Sequence, residues 1–148
     1  MSEHTAVVRW SRGDHEFTYE KYSRDHTLEF DNGATVKASS APAWFGDPAG
    51  VDPEEMLVAA LSSCHMLTFL AVAAKSGYLV ERYEDHPVGF LEKNEQGRLA
   101  ITRVSLRPRI DFGGDRRPDP STIERMHAKA HANCFIANSV RTAVSIAL

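Results

Sequence analysis

Residues 51–77 read VDPEEMLVAALSSCHMLTFLAVAAKSG, and this stretch decides the fold. Asp52-Pro53-Glu54-Glu55 is a helix start: Asp caps the first turn, Pro occupies the first helical position, where its missing N–H costs nothing, and Glu55 completes a capping box. The helix should run to about Ser76, where Gly77 supplies a left-handed stop. From Met56 to Ala74 there is no Asp, Glu, Lys or Arg, a length that raises the question of a membrane span. Ser62, Ser63, Cys64, His65 and Thr68 interrupt it, alanines dilute it, and Glu54, Glu55 and Lys75 flank it closely, so a membrane is not expected. The segment reads as a helix covered on most sides, which in a chain this short suggests burial between two subunits.

Upstream, Val7-Val8-Arg9-Trp10, Phe17 and Tyr19, then Leu28 and Phe30 alternate as strands do. Asn32-Gly33 between them marks a hairpin, with a type I′ turn expected. Ser39 to Gly50 reads as a loop whose Trp44 and Phe45 should cover something apolar. Downstream, Val80–Leu91 and Arg98–Phe112 form a second hairpin across Asn94-Glu95-Gln96-Gly97, with Val104, Leu106 and Ile110 on one face and Arg103, Arg107 and Arg109 on the other. Asp119-Pro120 opens a second helix with the stripe Ile123, Met126, Ala130 and Cys134, and Val140, Thr142, Val144 and Ile146 alternate as a closing strand. The order amounts to an α+β domain spanning 1–148: a meander and loop over 1–50, the central helix over 51–77, and hairpin, second helix and last strand over 78–148.

The chain has 148 residues, 43% of them hydrophobic, and a formal net charge of −3. That is enough for one core, and no basic surplus marks a nucleic-acid partner. The polar start Met1-Ser2-Glu3-His4 has no signal-peptide pattern, so a cytoplasmic location is the expectation.

The chain has two cysteines. Cys64 shares a helical face with Leu57, Ala60, Leu61, Leu67 and Thr68, and Cys134 ends the stripe of the second helix. Inward cysteines on separate helices of a cytosolic protein are inert, redox-active or metal ligands. A reactive thiol needs a nearby cation, because burial raises its pKa. The helix N-terminus is too far from Cys64 to serve, since its field fades within about a turn. Arg9, Arg12 and Arg24 are the candidates, with Glu54 placed to orient one of them. A rival reading takes His127, His131 and Cys134, at i, i+4 and i+7, with Cys64-His65, as a zinc set. As a bare motif, that histidine pair is more often a solvated helix face. The other histidines and the Arg103, Arg107, Arg109 face read as solvated or ion-paired surface.

Val51-Asp52-Pro53-Glu54-Glu55-Met56-Leu57 through Ser62-Ser63-Cys64, with Ala130-His131-Ala132-Asn133-Cys134 and Asn138-Ser139 later, resembles the family of osmotically inducible protein C and the organic hydroperoxide resistance proteins. The resemblance implies an intertwined homodimer in which antiparallel sheets pack around a long central helix. It implies a thiol peroxidase with no cofactor that reduces alkyl or lipid hydroperoxides. Carried over by position, Cys64 is the peroxidatic cysteine, Cys134 the resolving one, and Glu54 the partner of the active-site arginine. Ser23-Arg24-Asp25 resembles the Gly-Arg-Asp context of one branch, whereas Ala41 to Gly50, where the other branch has its arginine, holds none; Arg24 is therefore assigned. An external dithiol, a lipoylated protein in one branch, would reduce the disulfide. Leu57, Leu61, Trp44 and Phe45 are candidates for an apolar mouth. His65 and Phe135 depart from the family pattern, where an apolar residue and a proline are common. A non-catalytic stress or binding protein on the same fold is the third possibility.

Overall fold

A computed structural model describes residues 1–148, which divide into two compact units, 1–56 and 57–148. In the first, β1 (Ala6–Arg9), β2 (His26–Phe30) and β3 (Thr35–Ala38) make an antiparallel sheet in that order. Val8, Leu28 and Val36 stand in one cross-strand row. The β2–β3 hairpin falls at Asn32-Gly33, but its turn differs from expectation. Gly33 donates to the Phe30 carbonyl and takes a φ of 81°, whereas Asn32 keeps a negative φ. This is a type I turn followed by a left-handed glycine, as in three-residue hairpin loops. Phe17 lies in irregular chain and Tyr19 in a turn, neither in a strand. Their apolar character serves aromatic packing: Trp10, Phe17 and Tyr22 form a cluster with ring centroids 5.5–6.3 Å apart.

Helix α1 spans Pro53–Lys75. The capping box forms at its start, with Glu55 N–H donating to Asp52 Oδ1 at 2.7 Å and Asp52 N–H donating to Glu55 Oε2 at 3.1 Å.

In the second unit the expected hairpin is present but split. Its first arm breaks at His86-Pro87 into β4 (Leu79–Asp85) and β5 (Val88–Lys93), and its second at Arg107 into β6 (Leu99–Leu106) and β7 (Pro108–Gly113). β4 pairs antiparallel with β7. β5 pairs antiparallel with β6, and β8 (Ala143–Ile146) adds to β6 in parallel. Asp85 holds the break, its Oδ1 accepting the Arg107 N–H at 2.6 Å. The split sends the two halves to different cores. Val104 and Leu106 pack with Leu61, whereas Ile110 and Phe112 pack with Phe69, Val72 and Ala73. Gly89 is needed where β5 meets α1, because a Cβ there would sit 2.4 Å from a Val58 methyl carbon.

Helix α2 spans Pro120–Asn133, capped by Asp119, which accepts the Thr122 N–H at 2.7 Å. Met126 and Ala130 of its stripe are buried against α1, and Cys134 is the C-cap. The face of α1 that is buried holds Leu61, His65, Phe69, Val72 and Ala73, a different stripe from the one read off the sequence. Leu67 is 60% exposed. A helix with no charged residue from Met56 to Ala74 and apolar residues all round carries no charged face to fix its rotation, so sequence alone cannot orient it.

Phe69 is the keystone of this seam, fully buried and in contact with Tyr83, Phe112 and His127. Phe69→Ala should lower unfolding free energy by about 3–5 kcal/mol, measured by urea titration. Asp52→Ala, which removes only the capping oxygen, should cost about 1 kcal/mol.

Candidate functional site

The two sulfurs meet across the α1–α2 seam. Cys64 sits at the middle of α1, half-buried, and Cys134 is fully buried at the end of α2; both are free thiols. The Cys134 thiol is pushed above the ordinary cysteine range, first by burial, then by hydrogen bonding with Cys64 and by that residue's negative charge when ionised. The Ala137 N–H, pointing at Cys134 Sγ from 3.4 Å, opposes the rise. Of the pair, Cys134 is the more deeply buried and the one whose thiol is pushed up, as burial against apolar neighbours does.

Beside the sulfurs lies a tier of histidines. His65, 1% exposed, and His127, 2% exposed, share a hydrogen bond of 2.9 Å between Nε2 of the first and Nδ1 of the second, with ring planes 4° from parallel. Burial holds both pKa values down. That of His65 is lowered further by the charge of His131, and that of His127 falls to about 4, with the charge of His65 contributing after burial; Asp85 opposes both. Asp85 is bound by the Ser62 hydroxyl at 2.5 Å. The outer nitrogens His65 Nδ1 and His127 Nε2, with His131 Nδ1 and the Tyr83 hydroxyl, are buried without a protein partner. Tyr83 is held protonated to a pH well above the ordinary tyrosine range by burial and by Asp85.

His127, His131 and Cys134 do not assemble into a metal-binding group, and no set of three such side chains does so anywhere in the chain. Nor do His127 and His131 form a solvated face. His127 turns inward to His65, to which its Nδ1 is hydrogen-bonded. The sequence held a signal for His65 alone: it lies four residues after Leu61 and four before Phe69, a spacing that becomes informative once the rotation of α1 is known.

In the first unit Arg24 is buried and enclosed. It donates to the carbonyls of Tyr22 at 2.6 Å and Tyr19 at 2.5 Å, and its guanidinium lies 3.7 Å from the Tyr22 ring centroid, with Phe45 and Tyr19 further out. Phe45 reaches its place through a left-handed φ of 64°. Arg24 and Glu54 form no ion pair; the guanidinium is satisfied by carbonyls and rings instead. A cavity of about 560 Å³ opens beside Arg24, lined by Trp10, Phe17, Tyr22, Ser39 and Pro53 among others. Of the residues expected at an apolar mouth, Leu61 is core, whereas Trp44 and Phe45 are about half exposed.

The sequence profile of OsmC-like proteins matches residues 46–148. The chain belongs to the OsmC-like family. Cys64, Cys134 and Glu54 fall inside the matched segment, and Arg24 outside it. An OsmC-like protein of unknown function from Vibrio cholerae is 53% identical and superposes with a TM-score of 0.95 over 99% of each chain. The uncharacterized protein YmaD of Bacillus subtilis is 23% identical over 85% of each chain. An organic hydroperoxide resistance protein, OsmC, of Legionella pneumophila shares the fold at TM-score 0.70 and 18% identity, over 100% of this chain and 98% of its own. The OsmC-like fold accounts for α1, the one helix long and apolar enough to cross a membrane, as its central helix.

The histidine pair gives stability an acid limit. The folded pKa of His127 lies below its unfolded value of about 6.5, so the unfolded chain takes up the proton first as pH falls. Stability should be full above about pH 6.5 and decline toward about pH 4, by on the order of 3 kcal/mol from this group. Urea titrations from pH 7.5 to 4 should show the decline, and His127→Asn should flatten it.

Proposed function

We propose that this chain is a thiol peroxidase that reduces organic hydroperoxides. The observation that carries the reading is the meeting of Cys64 and Cys134 across the seam, with Cys134 the more deeply buried partner. The Cys64 thiolate attacks the distal oxygen of a hydroperoxide; the O–O bond breaks, the alkoxide leaves as an alcohol after taking a proton, and Cys64 becomes a sulfenic acid. The Cys134 sulfur then attacks the Cys64 sulfur. The S–O bond breaks, water leaves with the thiol proton, and a disulfide remains. An external dithiol restores both thiols by two exchange steps, a lipoylated protein being the class the family resemblance suggests. Arg24 is the proposed activating cation and Glu54 its proposed carboxylate partner. No cofactor takes part.

The functional unit in this reading is a cytoplasmic homodimer. Its support is the apolar surface that a single chain leaves uncovered, including Leu67 on α1 and Phe135, which is 81% exposed just after Cys134.

A second reading, a non-catalytic stress or binding protein, has one observation in its favour: Arg24 is satisfied by the Tyr19 and Tyr22 carbonyls and is not paired with Glu54. Adding one equivalent of cumene hydroperoxide to the reduced protein decides between the two. The peroxidase reading expects rapid loss of both thiols, no reaction in Cys64→Ser, and a sulfenic acid trapped on Cys64 in Cys134→Ser. Arg24→Ala should slow peroxide consumption by about 10²-fold or more, as loss of a charge-stabilising donor does. Slow loss that is indifferent to which cysteine is removed supports the non-catalytic reading.

A further inference from the structure

The contacts between α1 and α2 form an antiparallel ladder. Cys64 meets Cys134, His65 meets His127 and feels His131, Phe69 packs on His127 with centroids 4.3 Å apart and ring planes tilted by 30°, and Val72 packs with Met126 in the same cluster. The histidine rung is next to the sulfur rung. It is a directional bond between the two helices, flanked by the apolar contacts of Phe69, Val72 and Met126, and apolar packing is tolerant of sliding where a hydrogen bond is directional.

Each imidazole spends its inner nitrogen on the other, and neither outer nitrogen has a protein partner. Whichever nitrogen carries the shared proton, the neutral pair makes one bond, so the register it imposes does not depend on the tautomer. Losing the bond would leave four buried polar nitrogens without partners in place of two, which makes it costly for the helices to shift apart.

We propose that His65 and His127 are positioning residues for disulfide closure, fixing the register of α1 and α2 so that the Cys134 sulfur is aimed at Cys64. The role rests on the thiol chemistry proposed above and concerns its second step. There, the S–O bond of the Cys64 sulfenic acid breaks, the S–S bond forms and water departs with the Cys134 proton. Small misplacements of reacting atoms are expensive in such a step, on the order of 10²-fold per ångström, and nothing in the first step requires Cys134.

The test separates the two steps. Reduced protein is oxidised with cumene hydroperoxide in the presence of dimedone, which traps sulfenic acid, and mass spectrometry counts dimedone adduct against disulfide. His127→Phe keeps the ring and removes the bond. It should oxidise at Cys64 at the wild-type rate but close at least about tenfold more slowly, so that dimedone adduct accumulates. His65→Leu should read the same loss from the other helix. His127→Asn and His65→Gln each place a nitrogen near the bonding position and should restore closure to within about twofold of wild type. Wild-type closure in His127→Phe or His65→Leu overturns the proposal. So does slow closure in folded His127→Asn and His65→Gln, which would mean that ring packing, not the bond, sets the register. If cumene hydroperoxide does not oxidise Cys64, the peroxidase reading fails by itself. Closure is then followed with diamide, which adds to one thiol and is displaced as the hydrazine when the second thiol attacks, and the same ranking of variants is expected.

Discussion

Everything in the second unit answers to one requirement: a helix with no charged side chain from Met56 to Ala74 must be covered. At about 25 cal/mol per Å² of apolar surface, leaving it in water is untenable. The chain covers it in pieces. Strands β6 and β8 pack over Leu61 and β5 approaches Val58, while β4, β7 and α2 pack around Phe69, Val72 and Ala73. Two separate sheets do this because one hairpin breaks in both arms, and Asp85 stands at the break. One of its oxygens takes the Arg107 N–H and the other the Ser62 hydroxyl, so the polar group that shapes the sheets is also tied to the helix they cover.

The same requirement explains why the chemistry lies where it does. A seam built to exclude water raises the Cys134 thiol pKa and lowers those of the two histidines for one physical reason, the cost of charge in a poorly hydrated space. The Cys134 thiol and the two imidazoles are kept neutral together, and Cys64 differs from them in being less buried.

Much of this was legible in the sequence because it depends on local chemistry. The Asp52–Glu55 box, the Asp119 cap and the glycine turns each act within four residues, and each is where the residues put it. The rotation of α1 was not legible: its stripe is set by partners far along the chain, and Leu67 is as apolar as Leu61. His127 was misjudged for a related reason. Its neighbours Glu124 and Lys129 suggest a wet face, and only the arrival of His65 from α1 explains its burial. Phe17 and Tyr19 misled in the opposite sense, since alternation arises in an aromatic cluster around an arginine as readily as in a strand. The hairpin break at Arg107 was hidden because the side-chain alternation continues through it unchanged.

The two sulfurs also differ in how they are anchored. Cys64 is at mid-helix, with full turns of α1 on either side and its own carbonyl accepting the Thr68 hydroxyl. Cys134 caps the end of α2, where the chain leaves the helix through a turn held by the Asn138 and Ala137 N–H groups. Helix ends open locally at far lower cost than helix centres. The two ends of a disulfide here would thus rest on unlike supports, Cys64 on a helix interior and Cys134 on a helix terminus.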